Sequence, residues 1–401
     1  MMPLPLEGIR VVDCSRLLPG PWCTQMLADL GADIVKIEQP GLGDPARHNA
    51  PFYKDGSVYF HSVNRGKRSL ALDLAAPPGR EIALKLIARA DILVESYRRG
   101  VADRLGIGAP AARALNPRLI YCSITGFGQT GPLASIAGHD LVIQAMTGLM
   151  GTNLQPGAFP PVPGFQAGDY AGASYALTGI LAALLRRHQT NEGCTLDISM
   201  FDSLFSMNNV VLTGAMARAA GAPPQAGMEV WGGNPRYATY PTQDGGAVAV
   251  SLLEARSWER FCQLVGRPDL VSPDETARDR HSNHGARADL YRTALTCYFG
   301  QRSRDAAVAE LLAAEIAVCP VVSPDEALAG EHVAARGLVE WIEHPREGRI
   351  PQLGNPLAAS GLTDTRRRPA PALGADRDDI LRELGYDDEQ RAGLVRTGVV
   401  A

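Results

Sequence analysis

The sequence predicts an α/β fold in which helices cover both faces of a parallel sheet. Three short apolar runs, at residues 9–13, 33–38 and 119–124, are typical of strands that are buried on both faces. Between the first two runs, residues 20–30 carry apolar side chains at helical spacing. A second helical pattern covers residues 79–90. This strand–helix–strand alternation indicates a doubly wound domain.

The second half of the chain predicts a smaller domain. The most apolar helix covers residues 171–187, and the composition changes near residue 220 to a linker rich in Gly, Pro and Ala. Residues 243–246 then form a hairpin turn between two short strands. We therefore expect a large α/β domain built from residues 1–224 and 321–401, and a small α+β domain at 225–320.

Composition excludes several classes of protein. The 401 residues are 45% hydrophobic and 20% charged, with a net charge of −4, which is typical of a globular chain and untypical of a nucleic-acid binder. The start of the chain has no secretory signal pattern, and no apolar stretch is long enough to span a bilayer. The seven scattered cysteines form no CxxC pair. We expect a cytoplasmic enzyme with reduced thiols, no metal, no nucleic-acid partner and no membrane span.

A glycine motif follows the third apolar run. Gly126-x-Gly128-x-x-Gly131 has the spacing of a dinucleotide fingerprint. Pro132 comes directly after it where a helix should open, and no acidic residue stands about 20 positions later. The motif therefore argues against a nicotinamide cofactor, but its loop remains a plausible place for another ligand.

Two residues of the first half are candidates for catalysis. Asp169 immediately precedes the long apolar helix, where it is either a helix cap or an oriented, ionised nucleophile, and the two roles are compatible. His139 lies in a Gly-His-Asp motif and is either a structural histidine or a functional one. Two basic segments, at 64–69 and 97–100, are either solvated charge or a phosphate site.

Taken together, these motifs resemble the family III CoA-transferases, also called the CaiB/BaiF or formyl-CoA transferase-like family, which includes α-methylacyl-CoA racemases. The resemblance runs almost from end to end. It rests on LEGIRVVDCSRLLPGPWCTQMLADLGADIVKIEQPGLGDPAR (6–47), NRGKRSLALDL (64–74), ESYRRGVADRLGIG (95–108), NPRLIYCSITGFGQTGP (116–132), AGHDLVIQAMTGLMG (137–151), GDYAGASYALTGILAALLRR (168–187) and WGGNPRYATYPTQDG (231–245).

The resemblance implies a Rossmann-like large domain and two ring-like subunits interlocked as a homodimer. The active site would lie between the large domain of one subunit and the small domain of the other. It also implies that Asp169 attacks an acyl-CoA donor, forming first an anhydride and then an aspartyl-CoA thioester that a carboxylic acid acceptor resolves. Coenzyme A would enter as a substrate, with no permanently bound cofactor.

The resemblance also implies binding residues. Gly232 and Gly233 match the glycine loop of the family. The acyl group stays open between a bulky or apolar one and a dicarboxylate whose distal carboxylate Arg16 or His139 could receive. Leu18 stands where formyl-CoA members carry a glutamine, which argues against formyl and oxalyl substrates. The phosphates and the chain of CoA would run over Arg47, Lys67, Arg68, Arg98, Arg99 and Arg104, with the backbone at Gly126 and Gly128.

Racemisation is the alternative that the resemblance leaves open. The racemases use a His and an Asp on opposite faces of the α-carbon, and His139 precedes Asp169 by 30 residues in the same order. Glu254 falls where racemases carry a glutamate that supports the histidine. Against this, Val142-Ile143 stands in place of the Asn-Tyr pair typical of racemases. The sequence therefore favours the transferase.

Overall fold

The computed structural model describes residues 3–153, 159–223, 232–364 and 368–401. The chain divides into two compact units. The first comprises Met1–Met150, Pro161–Met207 and Glu331–Ala401, and the second Gly151–Pro160 and Asn208–Gly330. The domain boundaries expected from the sequence, at 225 and 320, stay a prediction.

The described residues contain strands of three to six residues. They are Arg10–Cys14 (β1), Asp33–Glu38 (β2), Arg68–Ala71 (β3), Ile92–Glu95 (β4), Ile120–Thr125 (β5), Cys194–Ser199 (β6), Tyr237–Pro241 (β7), Ala247–Ser251 (β8), Val318–Pro320 (β9), Val339–His344 (β10) and Gly348–Leu353 (β11).

The α-helices of the described residues lie between and after these strands. They are Pro19–Asp29 (α1), Val58–Asn64 (α2), Pro77–Arg89 (α3), Val101–Arg104 (α4), Ala109–Leu115 (α5), Asp140–Met146 (α6), Ala167–Thr190 (α7), Met200–Met207 (α8), Thr213–Ala219 (α9), Ala255–Leu264 (α10), Ala277–Arg280 (α11), Ala288–Gly300 (α12), Arg304–Ala313 (α13), Pro324–Leu328 (α14), Glu331–Ala335 (α15), Arg377–Glu383 (α16) and Asp388–Arg396 (α17).

A six-stranded parallel sheet organises the first unit. Its order is β3-β2-β1-β4-β5-β6, with β1 paired to both β2 and β4. Successive side chains of a strand point to opposite faces, so Val11 packs into one core with α1 and α7, and Val12 packs into the other with α3 and α16. Both faces are covered, which confirms the doubly wound α/β class predicted from the apolar runs.

Local backbone geometry sets the start of α1 and the end of α7, two helices that pack on the same face of the sheet. At Gly20, in the first turn of α1, a Cβ atom would lie 2.1 Å from the Cβ of Ser15, so only glycine fits there. The 24-residue α7 ends at Asn191, which adopts the left-handed conformation (φ 61°) common at helix ends. Because α1 follows β1, and α7 leads into β6 of the same parallel sheet, both helices begin at the edge of the sheet where β1 and β5 end.

The second unit contains an antiparallel sheet in the order β7-β8-β9. The predicted hairpin forms between β7 and β8, where the Thr242 N–H donates to the carbonyl of Gly246 at 3.0 Å. Aromatic side chains of α10 and α12 build the core of this unit, among them Trp258, Phe261 and Tyr291.

One predicted helix is divided in the structure. The sequence pattern predicts a single helix over 201–219, whereas α8 ends at Met207 and α9 begins at Thr213. Asn208 and Asn209 follow Met207, and asparagine favours caps and turns over helix interiors because its side chain competes for backbone hydrogen bonds.

Candidate active site

A cavity of about 790 Å³ lies in the first unit at the carboxyl ends of the parallel strands. Its walls include Arg16 and Leu17, which follow β1, Tyr97, which follows β4, and Gly126 and Phe127, which follow β5. β1 and β4 are adjacent strands at which the strand order reverses. Such a switch point leaves a crevice where open α/β sheets bind their ligands.

Asp169 faces this cavity from the first turn of α7. Its backbone N–H donates to Oδ1 of Asp140 at 3.3 Å, and the N–H of Gly168 donates to the same oxygen at 2.7 Å. In the described parts of the chain, no hydrogen-bond donor reaches the Asp169 carboxylate itself. The reacting oxygens of a nucleophile would therefore be open to a ligand in the cavity.

The surroundings of Asp169 disfavour its charge. Partial burial, with a smaller contribution from the neighbouring Asp140 carboxylate, raises the pKa of Asp169 to about 7. A carboxyl group with a raised pKa in a cleft is typical of functional sites. When ionised, it is also a better nucleophile than an ordinary solvated carboxylate.

Asp140 joins the starts of two helices. It is the first residue of α6, and its Oδ2 accepts a hydrogen bond from Nε2 of Gln144 at 2.7 Å. The same amide nitrogen donates to the carbonyl of Phe165 at 2.8 Å. Asp140 therefore supplies the cap that the sequence suggested for Asp169, and Asp169 is left free to face the cavity.

His139 lines the same cavity from the residue before α6. It is exposed, and its backbone carbonyl accepts from the N–H groups of Val142 and Ile143. The structure therefore brings His139 and Asp169, the two catalytic candidates of this unit, to one cavity.

Tyr59 also lines the cavity, although the sequence analysis did not single it out. It lies in α2 and faces the cavity, and the charge of Asp169 affects the pKa of its hydroxyl. Burial first, and the Asp169 carboxylate second, raise the pKa of its hydroxyl above the usual range, so it stays a neutral donor. A lone tyrosine in a short helix has no pattern that marks it, because only the fold brings α2 near α7.

Four of the predicted cationic residues also line the cavity. These are Arg16, Arg98, Arg99 and Arg104. Within the described residues none of them forms an ion pair with a carboxylate, and the guanidinium carbon of Arg16 lies 4.9 Å from the ring centre of Tyr97. Unpaired guanidinium groups suit the oxygens of a phosphate.

Three other predicted cations are engaged elsewhere in the unit. Arg47 pairs with Glu38 at 2.7 Å, fully buried Lys67 pairs with Asp13 at 3.0 Å, and Arg68 pairs with Asp33 and Glu383. None of the three is among the residues that line the cavity. Gly128 also lies outside its walls, and its N–H donates to Oγ1 of Thr125 at 2.9 Å.

The remaining predicted residues belong to the second unit. The carbonyls of Gly232 and Gly233 accept from Nη2 of Arg292 at 2.9 and 3.3 Å, and Gly232 has a positive φ of 76°. Glu254 is exposed and immediately precedes α10. Their roles stay predictions. Trp231, the first residue of the predicted glycine loop, lies outside the described residues.

The described residues were also searched for metal-binding clusters and for membrane-spanning helices. They contain no cluster of three or more His, Cys, Asp or Glu side chains placed to hold a metal ion. Nor does any described helix combine the length and the apolar character that crossing a membrane requires.

Comparison with known proteins extends the resemblance along nearly the whole chain. The family model described as CoA-transferase family III matches residues 6–377. The chain is 32% identical over 392 residues to the succinate–glutarate CoA-transferase of Agrobacterium fabrum, covering 95% of this chain and 96% of that protein. It is 32% identical over 414 residues to the formyl-CoA:oxalate CoA-transferase of Escherichia coli O157:H7, covering 98% and 99%.

A solved structure gives the same result. The crystal structure of a CAIB/BAIF family protein from Brucella suis is similar with a TM-score of 0.81 at 32% identity, and the match covers 96% of this chain and 100% of that one.

Proposed function

The chain belongs to CoA-transferase family III, and from this premise we propose that it moves CoA from an acyl-CoA donor to a small carboxylic acid through covalent intermediates on Asp169. The observation that carries the proposal is the carboxylate of Asp169, which faces a cavity lined by unpaired arginines and accepts no hydrogen bond from the described residues.

The proposed reaction begins with the ionised Asp169. One carboxylate oxygen attacks the thioester carbonyl carbon of the donor, the C–S bond breaks, and CoA leaves as the thiolate. The product is a mixed anhydride between Asp169 and the donor acyl group. The thiolate then attacks the aspartyl carbonyl, the donor carboxylate departs, and an aspartyl-CoA thioester remains.

The acceptor carboxylate completes the exchange by the same chemistry. It attacks the aspartyl thioester and releases the CoA thiolate, which forms a second anhydride between Asp169 and the acceptor. The thiolate attacks the acceptor's acyl carbon, so the new acyl-CoA forms and the Asp169 carboxylate is regenerated. Each step exchanges one acyl–oxygen or acyl–sulfur bond for another, and no net proton transfer is required.

The cavity supplies groups for this chemistry beyond the nucleophile. Arg98, Arg99 and Arg104 are proposed to bind the phosphates of CoA, because they are cationic and unpaired. The neutral hydroxyl of Tyr59 is proposed to donate to the oxygen that becomes negative in each tetrahedral intermediate. Arg16 and His139, which line the same cavity, are proposed to receive a second carboxylate of a dicarboxylic acceptor.

A homodimer is the proposed assembly. The first unit exposes large apolar side chains on α6 and α8, each 40–49% accessible: Leu141, Val142, Met146, Phe205 and Met207. Apolar groups concentrated on adjacent helices are typical of a face that another protein covers. We propose that a second copy covers them, as an interlocked dimer, with a solution mass about twice the 42.7 kDa of one chain.

Mass analysis of CoA esters tests the proposed reaction. The protein is incubated with succinyl-CoA in deuterated water, with and without a panel of carboxylic acids that includes glutarate and oxalate. A new acyl-CoA that forms only when an acid is added supports CoA transfer. Asp169→Asn should abolish that exchange, and hydroxylamine should trap the aspartyl thioester in the wild-type protein only.

The same experiment tests racemisation, which the names of the relatives do not favour. A racemase would add one deuteron to the α-carbon of a 2-methylacyl-CoA with no acid present. His139→Ala would then be as damaging as Asp169→Asn, because each residue would carry one proton transfer. For the transferase, His139→Ala should weaken exchange without abolishing it.

A further inference from the structure

Six charged side chains next to the cavity have no part in the reaction described above. Three are carboxylates and three are cations, and five of the six are at most 4% exposed. We call them the buried charge cluster: Asp13, Glu38, Asp44, Lys36, Arg47 and Lys67. Charges this deeply buried are costly unless each is paired, and equal numbers of each sign satisfy that condition here.

This cluster holds the connection between β1 and α1. The N–H of Ser15 donates to Oδ1 of Asp13 at 2.9 Å, and the carbonyl of Ser15 accepts from Nζ of Lys36 at 2.8 Å. The N–H of Leu17 donates to Oδ1 of Asp44 at 3.0 Å. The backbone of the connection is therefore held by charged side chains of β1, of β2 and of the segment after β2.

Leu17 has an unusual backbone conformation. Its φ of 65° lies in the left-handed region, which leucine rarely adopts because its Cβ crowds the backbone. Such conformations persist where the surroundings enforce them, and they are frequent at functional sites. Leu17 and its neighbour Arg16 both line the cavity in which Asp169 lies.

The carboxylate of Asp44 binds the backbone of Leu17. Its Oδ1 accepts from the N–H groups of Leu17 and Ala46, and its Oδ2 pairs with Lys36 at 2.9 Å. Burial disfavours the Lys36 ammonium, but the carboxylates around it, Asp13 and Asp44 foremost, outweigh burial and raise the pKa of Lys36. The Lys36 charge is therefore retained, and it orients the carboxylate that holds Leu17.

We propose that Asp44 is a positioning residue, whose buried carboxylate, oriented by Lys36, holds Leu17 in the left-handed conformation and so preforms the Arg16–Leu17 wall against which the acyl-CoA binds. The identity of the ligand rests on the proposed function, whereas the role of Asp44 in holding the loop does not.

Two double variants separate the hydrogen bond from the charge. Lys36→Met/Asp44→Asn and Lys36→Met/Asp44→Ala each remove one positive and one negative charge, so the rest of the cluster stays neutral. Only the first keeps an oxygen that can accept from the Leu17 N–H. Both variants lose the Lys36 bond to the Ser15 carbonyl, so they are compared with each other, with succinyl-CoA and glutarate as probes. We expect the KM for succinyl-CoA to be about tenfold or more higher in the Ala variant than in the Asn variant, with a smaller difference in kcat.

Hydrogen–deuterium exchange measures the protection of the backbone amides between β1 and α1, and it needs no substrate. A peptide covering residues 14–20 should exchange faster in the Ala variant than in the Asn variant, because only the Asn side chain keeps an acceptor for the Leu17 N–H. Equal exchange in the two double variants would overturn the proposal. If CoA fails to bind the wild type while the exchange difference is seen, the proposed function fails and the positioning role stands.

A second pair of variants keeps all six side chains of the buried charge cluster. These variants can therefore be tested even if the double variants fail to fold. Leu17→Ile keeps the side-chain volume but adds a β-branch, which resists a positive φ. Leu17→Met is the matched unbranched control. We expect Ile to weaken CoA binding, measured by calorimetry, several-fold relative to Met. Equal affinities for CoA in the Ile and Met variants would overturn the proposal.

Discussion

Three aspartates near the cavity differ in what surrounds them, and their chemistry differs accordingly. Asp13 accepts from Ser15, Thr24 and Lys67, and although burial opposes its charge, the two buried lysines hold the pKa of Asp13 well below its usual range. Asp140 is occupied by the backbone of α7 and by Gln144. No described residue donates a hydrogen bond to the carboxylate of Asp169. The environment of each carboxyl group, more than its residue type, determines what it can do.

The pH dependence of the reaction should reflect Asp169. Because the pKa of Asp169 is raised to about 7 and the nucleophile is the ionised form, kcat/KM should rise with pH through about 7 and level off above it. Asp140→Asn removes the neighbouring negative charge, so it should move this acid limb to lower pH. The measurement is a pH–rate profile from about pH 5 to 9 for both proteins.

His139→Ala serves as the control for the pH experiment, since it leaves both carboxylates in place. The limb near pH 7 should remain in that variant at lower overall activity. An acid limb that disappears with His139, or that Asp140→Asn moves upward, would contradict the assignment to Asp169.

At the scale of the element, the crossing of α6 and α7 sets the position of the nucleophile. A Cβ atom at Gly168 would lie 2.9 Å from Cγ2 of Ile143 and 3.1 Å from Oδ1 of Asp140. The two helices can therefore approach closely only because residue 168 has no side chain. The same approach brings the Gly168 and Asp169 N–H groups to the Asp140 carboxylate.

Gly168→Ala should separate α6 from α7 and impair catalysis. We expect a loss of about 1–3 kcal/mol in stability from the overpacked contact, and a fall in kcat/KM of about tenfold or more from the displaced nucleophile. Gly179→Ala is the control on the same helix, where a Cβ would meet Leu196 at an ordinary 3.4 Å. It should be neutral or stabilising, by up to about 1 kcal/mol, because alanine favours helices. Chemical denaturation and exchange assays measure both; a Gly168→Ala protein with normal activity would contradict the role of the crossing.

The elements that the sequence predicted are those with strong, local patterns. β1, β2 and β5 are apolar runs between turn residues, and α7 is long and apolar. The β10–β11 hairpin was missed, because the tail is rich in Pro and Arg and Pro351 lies inside β11, where proline usually argues against a strand.

The site residues, like the elements, were predicted only where a local sequence pattern marks them. Asp169 and His139 stand in distinctive local motifs, and the sequence identified both as candidates. Tyr59 and Asp140 were missed as partners of Asp169 because they meet it only through the packing of separate helices. Arg47 and Lys67 have the right charge for a phosphate site, but no local pattern records that Glu38 and Asp13 bind them.

At the scale of the whole molecule, distant parts of the sequence build the first unit together. Arg65, at the end of α2, binds both oxygens of buried Asp29 and donates to the carbonyl of Leu353 at 2.6 Å. Asn355 donates to the same carboxylate at 3.0 Å. One buried carboxylate therefore ties the early part of the unit to residues that follow it by more than 300 positions.

Arg65→Met should destabilise the protein strongly. It leaves the charge of Asp29 buried with only an amide partner, and loss of one member of a buried pair typically costs about 3–5 kcal/mol. Arg68→Met is the matched control, because its partners Asp33 and Glu383 are 46% and 59% exposed and such pairs contribute about 1 kcal/mol or less. Urea denaturation measures both. Equal losses in the two variants would show that Arg65 does not have this role.

The first unit is built from three separate stretches of the chain, and this affects the order in which the two units can fold during synthesis. Residues Asn208–Gly330 are contiguous, so nearly all of the second unit leaves the exit tunnel as one piece and can fold at once. The first unit, by contrast, has to wait for Glu331–Ala401, with β1 to β6 already synthesised but its contacts to that last segment still missing. During that interval the edge strand β3 lacks a neighbour on one side, because Ala71 and Leu72 at its end pair with Ala401 and Val400 only in the finished chain, and an unpaired edge of this kind invites pairing with another chain.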